Sequence, residues 1–246
     1  MGVRQGLLVT IVIALTLGAC GTIPENDPLR PAAAGGESAA STPSSGSSPA
    51  APSEAASTTG VESCEYEPTG DAARSARPPS PTGVVTSGAI GYDLEMTEGT
   101  VRITLDPVRA PCTVHSFVSL AEQGFFDETK CHRLVDSGIF LFQCGDPTGT
   151  GRGGPGYTFA DELDGTESYT KGVIAMANDG SQFFLVYRDS TALDKTPDYA
   201  IFGEIDRSGI DILERMAAEG QDGTNAKGGG RPNNPSEIVK VTAVGG

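Results

Sequence analysis

The chain has 246 residues and a formal net charge of −15, yet residues 31 to 60 are Pro, Ala, Gly, Ser or Thr at 28 of 30 positions. Such a stretch lacks the apolar side chains a packed core needs. If the ordered domain begins near Val85, about 160 residues remain, which suits one core of ordinary size. Residues 86 to 246 hold 24 acidic against 13 basic side chains, with no Lys/Arg cluster. Phosphate backbones repel a domain of that sign, which excludes nucleic-acid binding and a polybasic membrane contact.

At the N-terminus, Arg4 precedes an apolar run from Leu7 to Leu17 that ends in Leu17-Gly18-Ala19-Cys20. About 11 apolar residues are too few to cross roughly 30 Å of hydrocarbon, for which ~20 are needed. Residues 1–19 therefore read as a signal peptide. The Leu-Gly-Ala-Cys ending resembles the bacterial lipobox, which implies a diacylglycerol on Cys20 and an anchor on the extracytoplasmic face of the cell membrane. Residues 20–84 are expected to be a disordered tether, whose flexible part of ~40 residues spans about 35 Å. The folded domain is expected over 85–246.

Beyond Cys20 stand Cys64, Cys112, Cys131 and Cys144. An even number in an oxidising compartment predicts one or two disulfides, and all three pairings remain open. Cys131 beside His132 is a poor thiol–base pair, because neighbours on a strand point to opposite faces.

Strand-like patterning starts at Ile90–Met96, turns at Glu98-Gly99 and alternates strictly over Val101–Leu105. Val114, Phe117, Val118 and Ala121 then recur at helical spacing over Pro111–Gln123, with Gly124 as the stop. A second hairpin is predicted from Cys131–Val135 to Ile139–Cys144. After a Gly-rich excursion, Gly145–Gly156, further strands are expected at Gly172–Ala177, Gln182–Val186 and Ala200–Glu204. Ser208 is predicted to cap a helix with Ile210, Leu213 and Ala217 on one face, and Glu237–Val244 to close the sheet. Many strands, two helices and no βαβ alternation predict a mainly β fold: a closed, antiparallel eight-stranded barrel capped by two α-helices.

Within the excursion, Gly149-Thr150-Gly151-Arg152-Gly153-Gly154 matches a dinucleotide fingerprint by letter. The following Pro155-Gly156-Tyr157 cannot open the helix that such a site requires. Two histidines and scattered cysteines without a C-x-x-C pair give no zinc site, so neither cofactor nor metal is expected.

Three segments in order carry a resemblance. They are Cys131-His132-Arg133-Leu134 leading to Phe140-Leu141-Phe142-Gln143-Cys144-Gly145-Asp146; Gly172-Val173-Ile174-Ala175-Met176-Ala177-Asn178; and Gly180-Ser181-Gln182-Phe183-Phe184, followed by Ile201-Phe202-Gly203. Together they resemble the cyclophilin family of peptidyl-prolyl cis-trans isomerases, in the form of exported bacterial lipoproteins. The resemblance implies that Arg133 is catalytic and that Phe140, Leu141, Phe184 and Leu193 wall the proline ring. It also implies that Gln143, Ala177, Asn178 and Gln182 hold the peptide backbone. Tyr199 stands where the family commonly has a histidine near the pocket. The implied partners are proline-containing extended polypeptides, met by a monomer that assists folding of exported or envelope proteins.

The chemistry agrees with these roles. Amide resonance opposes rotation about X-Pro with a barrier near 20 kcal/mol. No bond is made or cut, so no nucleophile is required. A twisted prolyl nitrogen becomes a hydrogen-bond acceptor, to which a fixed, permanently charged guanidinium can donate. The chain departs from the family in lacking Trp, with Ala192 near the tryptophan position, in a shorter loop from Asn178 to Gln182, and in a longer turn between Arg133 and Gln143. His115 and His132 are read as structural.

Overall fold

Apolar alternation turns Ile90–Met96 and Gly99–Leu105 into a hairpin whose inward residues Leu94, Val101, Ile103 and Leu105 are fully buried. The computed structural model describes residues 63–177 and 180–245. Cys20, the expected signal peptide, the tether up to residue 62, and Asn178 lie outside them.

In chain order the elements are β1 (Glu67–Pro68), β2 (Ile90–Met96), β3 (Gly99–Leu105), α1 (Pro111–Glu122), β4 (Thr129–Lys130), β5 (Arg133–Ser137) and β6 (Ile139–Cys144). They continue with β7 (Tyr157–Thr158), β8 (Val173–Met176), β9 (Phe183–Val186), β10 (Ile201–Ile205), α2 (Arg207–Ala218) and β11 (Glu237–Ala243). A small β1–β7 ladder stands apart from an antiparallel nine-stranded sheet in the order β4-β11-β2-β3-β10-β8-β9-β6-β5.

The closed eight-stranded barrel is thereby corrected: among the described residues the sheet is curled, with nine strands and an open ladder. The strand expected at 131–135 is in fact two. Residues 129–130 pair with β11, then Cys131 and His132 bend the chain, and 133–137 pair with β6. One short run thus supplies both edges of the sheet.

The sheet separates two apolar layers. Its concave face encloses the main core, where Phe117 and Leu120 of α1 and Leu213 and Met216 of α2 meet Phe142, Ile174, Phe183 and Phe202. The other face of β5, β6, β8, β9 and β10 carries a smaller cluster of Val135, Leu141, Tyr169, Ala175, Phe184, Val186 and Ile201. Successive side chains of β8 and β9 therefore all lie buried, some in each cluster, which explains why these strands read as unbroken apolar runs. Helix α2 is capped by Asp206, whose carboxylate accepts from Gly209 N at 2.6 Å, rather than by Ser208, which sits in the first turn.

Residues 63–84, expected to be tether, belong to the folded unit. Cys64 is bonded to Cys112, and its backbone N–H donates to the Pro81 carbonyl at 2.8 Å. The Tyr66 ring packs edge-on against Tyr157 and Phe159. Arg74 Nη1 donates to the carbonyls of Gly124, Phe125 and Asp127 at the end of α1. The Cys64–Cys112 disulfide ties this segment covalently to the first turn of α1.

Candidate active site

Strand pairing assembles the site from the outer, smaller cluster upward. Arg133 on β5 lies opposite Gln143 on β6, Gln143 opposite Phe184 on β9, and Phe184 opposite Ala175 on β8. The second disulfide, Cys131–Cys144, lies directly beside the Arg133–Gln143 pair, and it leaves no free thiol at Cys131.

The guanidinium of Arg133 is half-buried and held on three sides. Nε donates to the Gly228 carbonyl and Nη2 to the Lys227 carbonyl, both at 3.0 Å, while Nη1 reaches Gln143 Oε1 at a longer 3.4 Å. Gln143 Nε2 in turn donates to Gln182 Oε1 at 2.8 Å, and Gln182 Nε2 to the Gly153 carbonyl at 3.2 Å. Burial pushes the Arg133 pKa below its ordinary value, and the Tyr199 phenol opposes that shift. An arginine lowered from so high a value remains a cation at working pH.

These residues open onto a groove of about 650 Å³ lined by Arg133, Gln143, Ala177, Phe184 and Tyr199 from the predicted set. The Tyr199 ring meets Phe184 edge-on at 4.9 Å, and the buried Tyr169 hydroxyl fixes Tyr199 by bonding both its N–H (3.0 Å) and its carbonyl (2.9 Å). Burial is also what pushes the Tyr169 pKa up to about 12. Gln182 acts behind the groove through Gln143.

Three predicted wall residues sit elsewhere. Leu141 is buried under the groove in the outer cluster, and Leu193 packs against that cluster from a 3-10 turn at Leu193–Lys195. Phe140 is not brought to the groove. Alternation along β6 turns it to the other face, where it packs on the main core beside Tyr187 with the Arg188 guanidinium 4.9 Å from its ring centre.

Sequence reasoning missed two loops that complete the groove, Thr150-Gly151-Arg152 and Thr224–Lys227. The first is organised around Asp146, a fully buried carboxylate that accepts from the backbone N–H groups of Thr148, Thr150, Gly151 and Arg152 at 2.6–3.1 Å. Burial opposes ionisation of Asp146, but hydrogen bonds led by those from Thr148 bring its pKa down to about 2. The second loop is fastened to β5 by reciprocal backbone bonds between Leu134 and Gly230, at 2.8 and 3.0 Å. Burial holds the neighbouring His132 imidazole below its usual value, against the pull of Asp146, so the ring is neutral at pH 7. Among the described residues no three His, Cys, Asp or Glu side chains gather where they could hold a metal ion.

Arg133 is thus held beside an apolar wall of Phe184 and Tyr199, on the outer face of a curled antiparallel sheet with two helices. Residues 92–243 match the family described as cyclophilin type peptidyl-prolyl cis-trans isomerase/CLD, and the chain belongs to that family. It is 39% identical over 201 residues to a probable peptidyl-prolyl cis-trans isomerase B of Mycobacterium tuberculosis, covering 74% of this chain and 63% of that one. The counterpart from Mycobacterium leprae is 41% identical over 177 residues, covering 64% and 59%. The chain thus spans about 60% of the length of these curated relatives. A crystal structure of a Cryptosporidium parvum cyclophilin type isomerase aligns at a TM-score of 0.57 and 25% identity, over 65% of this chain and 99% of the other. A second structure of that protein, in the presence of the dipeptide Ala-Pro, aligns at 0.55 and 26% identity, over 63% and 99%.

Proposed function

We propose that the chain is a peptidyl-prolyl cis-trans isomerase that needs no cofactor. The observation that carries this is the seating of Arg133, whose guanidinium is held by two loop carbonyls and Gln143 at the edge of a groove walled by Phe184 and Tyr199. Three of its five N–H groups are engaged, which leaves two for a substrate.

An extended X-Pro segment lies along the groove with its ring against Phe184 and Tyr199. As the amide twists, the prolyl nitrogen loses conjugation and Arg133 donates to it. The hydrogen bond is strongest in the twisted state, because only there is the nitrogen lone pair available, so it lowers the barrier without strengthening the planar forms equally. Fixed donors avoid reorganisation at that moment. Gln143, itself anchored through Gln182, serves both the guanidinium and the peptide backbone.

The rival is a module that grips proline peptides without turning them over, and the missing Trp at the pocket edge favours it. A prolyl-peptide isomerisation assay on residues 61–246 separates the two. Acceleration that Arg133→Ala largely abolishes supports the isomerase. Peptide-induced NMR shifts around Phe184 without faster cis–trans exchange would establish the rival.

The same proposal places the protein outside the cytoplasm as a monomeric lipoprotein, held by a diacylglycerol on Cys20 and acting on newly exported or envelope polypeptides. Two disulfides in the folded unit suit such a compartment, and the Leu17–Cys20 pattern supports the anchor. Cys20→Ser should release the protein or leave it unprocessed; membrane retention of a lipid-labelled product would refute the anchor.

A further inference from the structure

Among the described residues, the groove lining has a charge pattern opposite to that of the chain as a whole. Residues 86–246 hold 24 acidic against 13 basic side chains, yet the described residues lining the groove include Arg133, Arg152 and Lys227 and no Asp or Glu. A recess of about 160 Å³, which shares His132, Thr150, Thr224 and Asn225 with the groove and adds Arg231, likewise has no carboxylate in its lining. The acids nearest in sequence to these loops are turned into the loops themselves. Asp146 is occupied by four backbone N–H groups, and Asp222 accepts from Thr224 N, Thr224 Oγ1 and Arg231 N at 2.6–3.0 Å.

Arg152 and Lys227 differ from Arg133, whose guanidinium is held by three partners. Both are exposed, and neither takes part in the ion pairs found among the described residues, which join Arg102 to Asp93, Arg109 to Asp164 and Lys171 to Glu214. Their backbones are nevertheless pinned. Arg152 N donates to Asp146 at 3.1 Å; Lys227 N donates to Asn225 Oδ1 at 2.9 Å, and its carbonyl accepts from Arg133. Two cations with no ion pair among the described residues, on fixed backbone and contributed by two separate loops, line the groove.

We propose that this groove selects X-Pro segments carrying an Asp or Glu side chain next to the proline, with Arg152 and Lys227 as the specificity-determining residues. This names a substrate class for the site and rests on the isomerase reading above. At physiological ionic strength charges more than about 8 Å from the groove are largely screened, so the distant acids act on it weakly. Exposed pairs are individually weak, so two of them give a modest preference, about fivefold, rather than an absolute requirement.

The test uses the full chain in detergent at physiological ionic strength, with peptides that differ only in having Glu, Gln or Lys immediately before or after proline. The expected order of kcat/KM is Glu above Gln above Lys, about fivefold from end to end and expressed mainly in KM. The double variant Arg152→Gln/Lys227→Gln should treat all three peptides alike, read as ratios of kcat/KM within the variant so that any change in its overall turnover cancels. Equal kcat/KM for the three peptides in the unaltered chain overturns the proposal, as does a Glu preference that survives the double variant. Failure of the isomerase reading shows itself separately, as no turnover of any peptide. Affinities from NMR titration then decide selectivity in the same way, with the order Glu above Gln above Lys expected and equal values overturning it.

Discussion

Arg133 Nε donates to the carbonyl of Gly228, a residue 95 positions later in the chain, at 3.0 Å. The guanidinium is therefore aimed by a loop that shares no strand with it, and the loop's geometry sets where its remaining N–H groups point. Lysine at this position keeps the charge but loses the planar fork that meets two carbonyls and Gln143 at once. Arg133→Lys should lower kcat/KM for a prolyl peptide by roughly 10²-fold with thermal stability little changed; near-normal turnover would show that charge alone suffices.

Gly229 adopts φ +74°, and a side-chain carbon there would collide with the Leu134 carbonyl. An L residue in that region costs about 1–2 kcal/mol before the collision is counted. Gly229→Ala should displace the loop, lower kcat/KM by about tenfold and lower Tm by several degrees, about 2–4 °C for each kcal/mol of strain. An unchanged rate would separate Arg133 from its two carbonyl partners.

The pKa of Asp146, about 2 when folded against 3.8 for a free aspartate, means that the folded state binds this proton less tightly than the unfolded chain. Its contribution is fully present above about pH 4 and is lost as pH falls through about 2; at neutral pH it is of order 2 kcal/mol. Asp146→Asn should cost about that much near pH 7, and its stability should converge on that of the parent chain at the acid end. Denaturant midpoints measured from pH 7 to pH 2 check both parts, and a gap between the two proteins that stays constant or widens in acid would overturn the assignment.

Cys64–Cys112 closes 48 residues and Cys131–Cys144 closes 13. Loop-closure entropy assigns about 4 kcal/mol to the first and about 3 kcal/mol to the second. Paired Cys→Ser replacement, followed by denaturant unfolding, should reproduce that order. Only the second replacement should also disturb the amide signals of Arg133 and Gln143, which it adjoins.

What the sequence made legible follows its periodicities. Period two over Ile90–Leu105 and period 3.6 over Pro111–Gln123 located the first hairpin and α1 almost to the residue. The ordered motifs brought Arg133, Gln143 and Phe184 into one groove. Period two also held the signal against Phe140, since 140 and 143 differ by an odd number and cannot share a face of β6. Non-local facts stayed hidden. Nothing in Gly228-Gly229-Gly230 announces its bonds to β5, and a lone Asp146 in a Gly-rich stretch gives no sign that four amides surround it. The tether's end was set too late because Cys64 and Tyr66 act through partners at 112, 157 and 159.

The Leu134–Gly230 bonds do more than hold a loop in place. They occupy backbone groups on the outer side of β5, the last strand of the open ladder. A free edge invites another extended chain to add itself as a strand. On the proposed reading the protein meets extended polypeptides, and the segment that holds Arg133 would also deny them a place in the sheet.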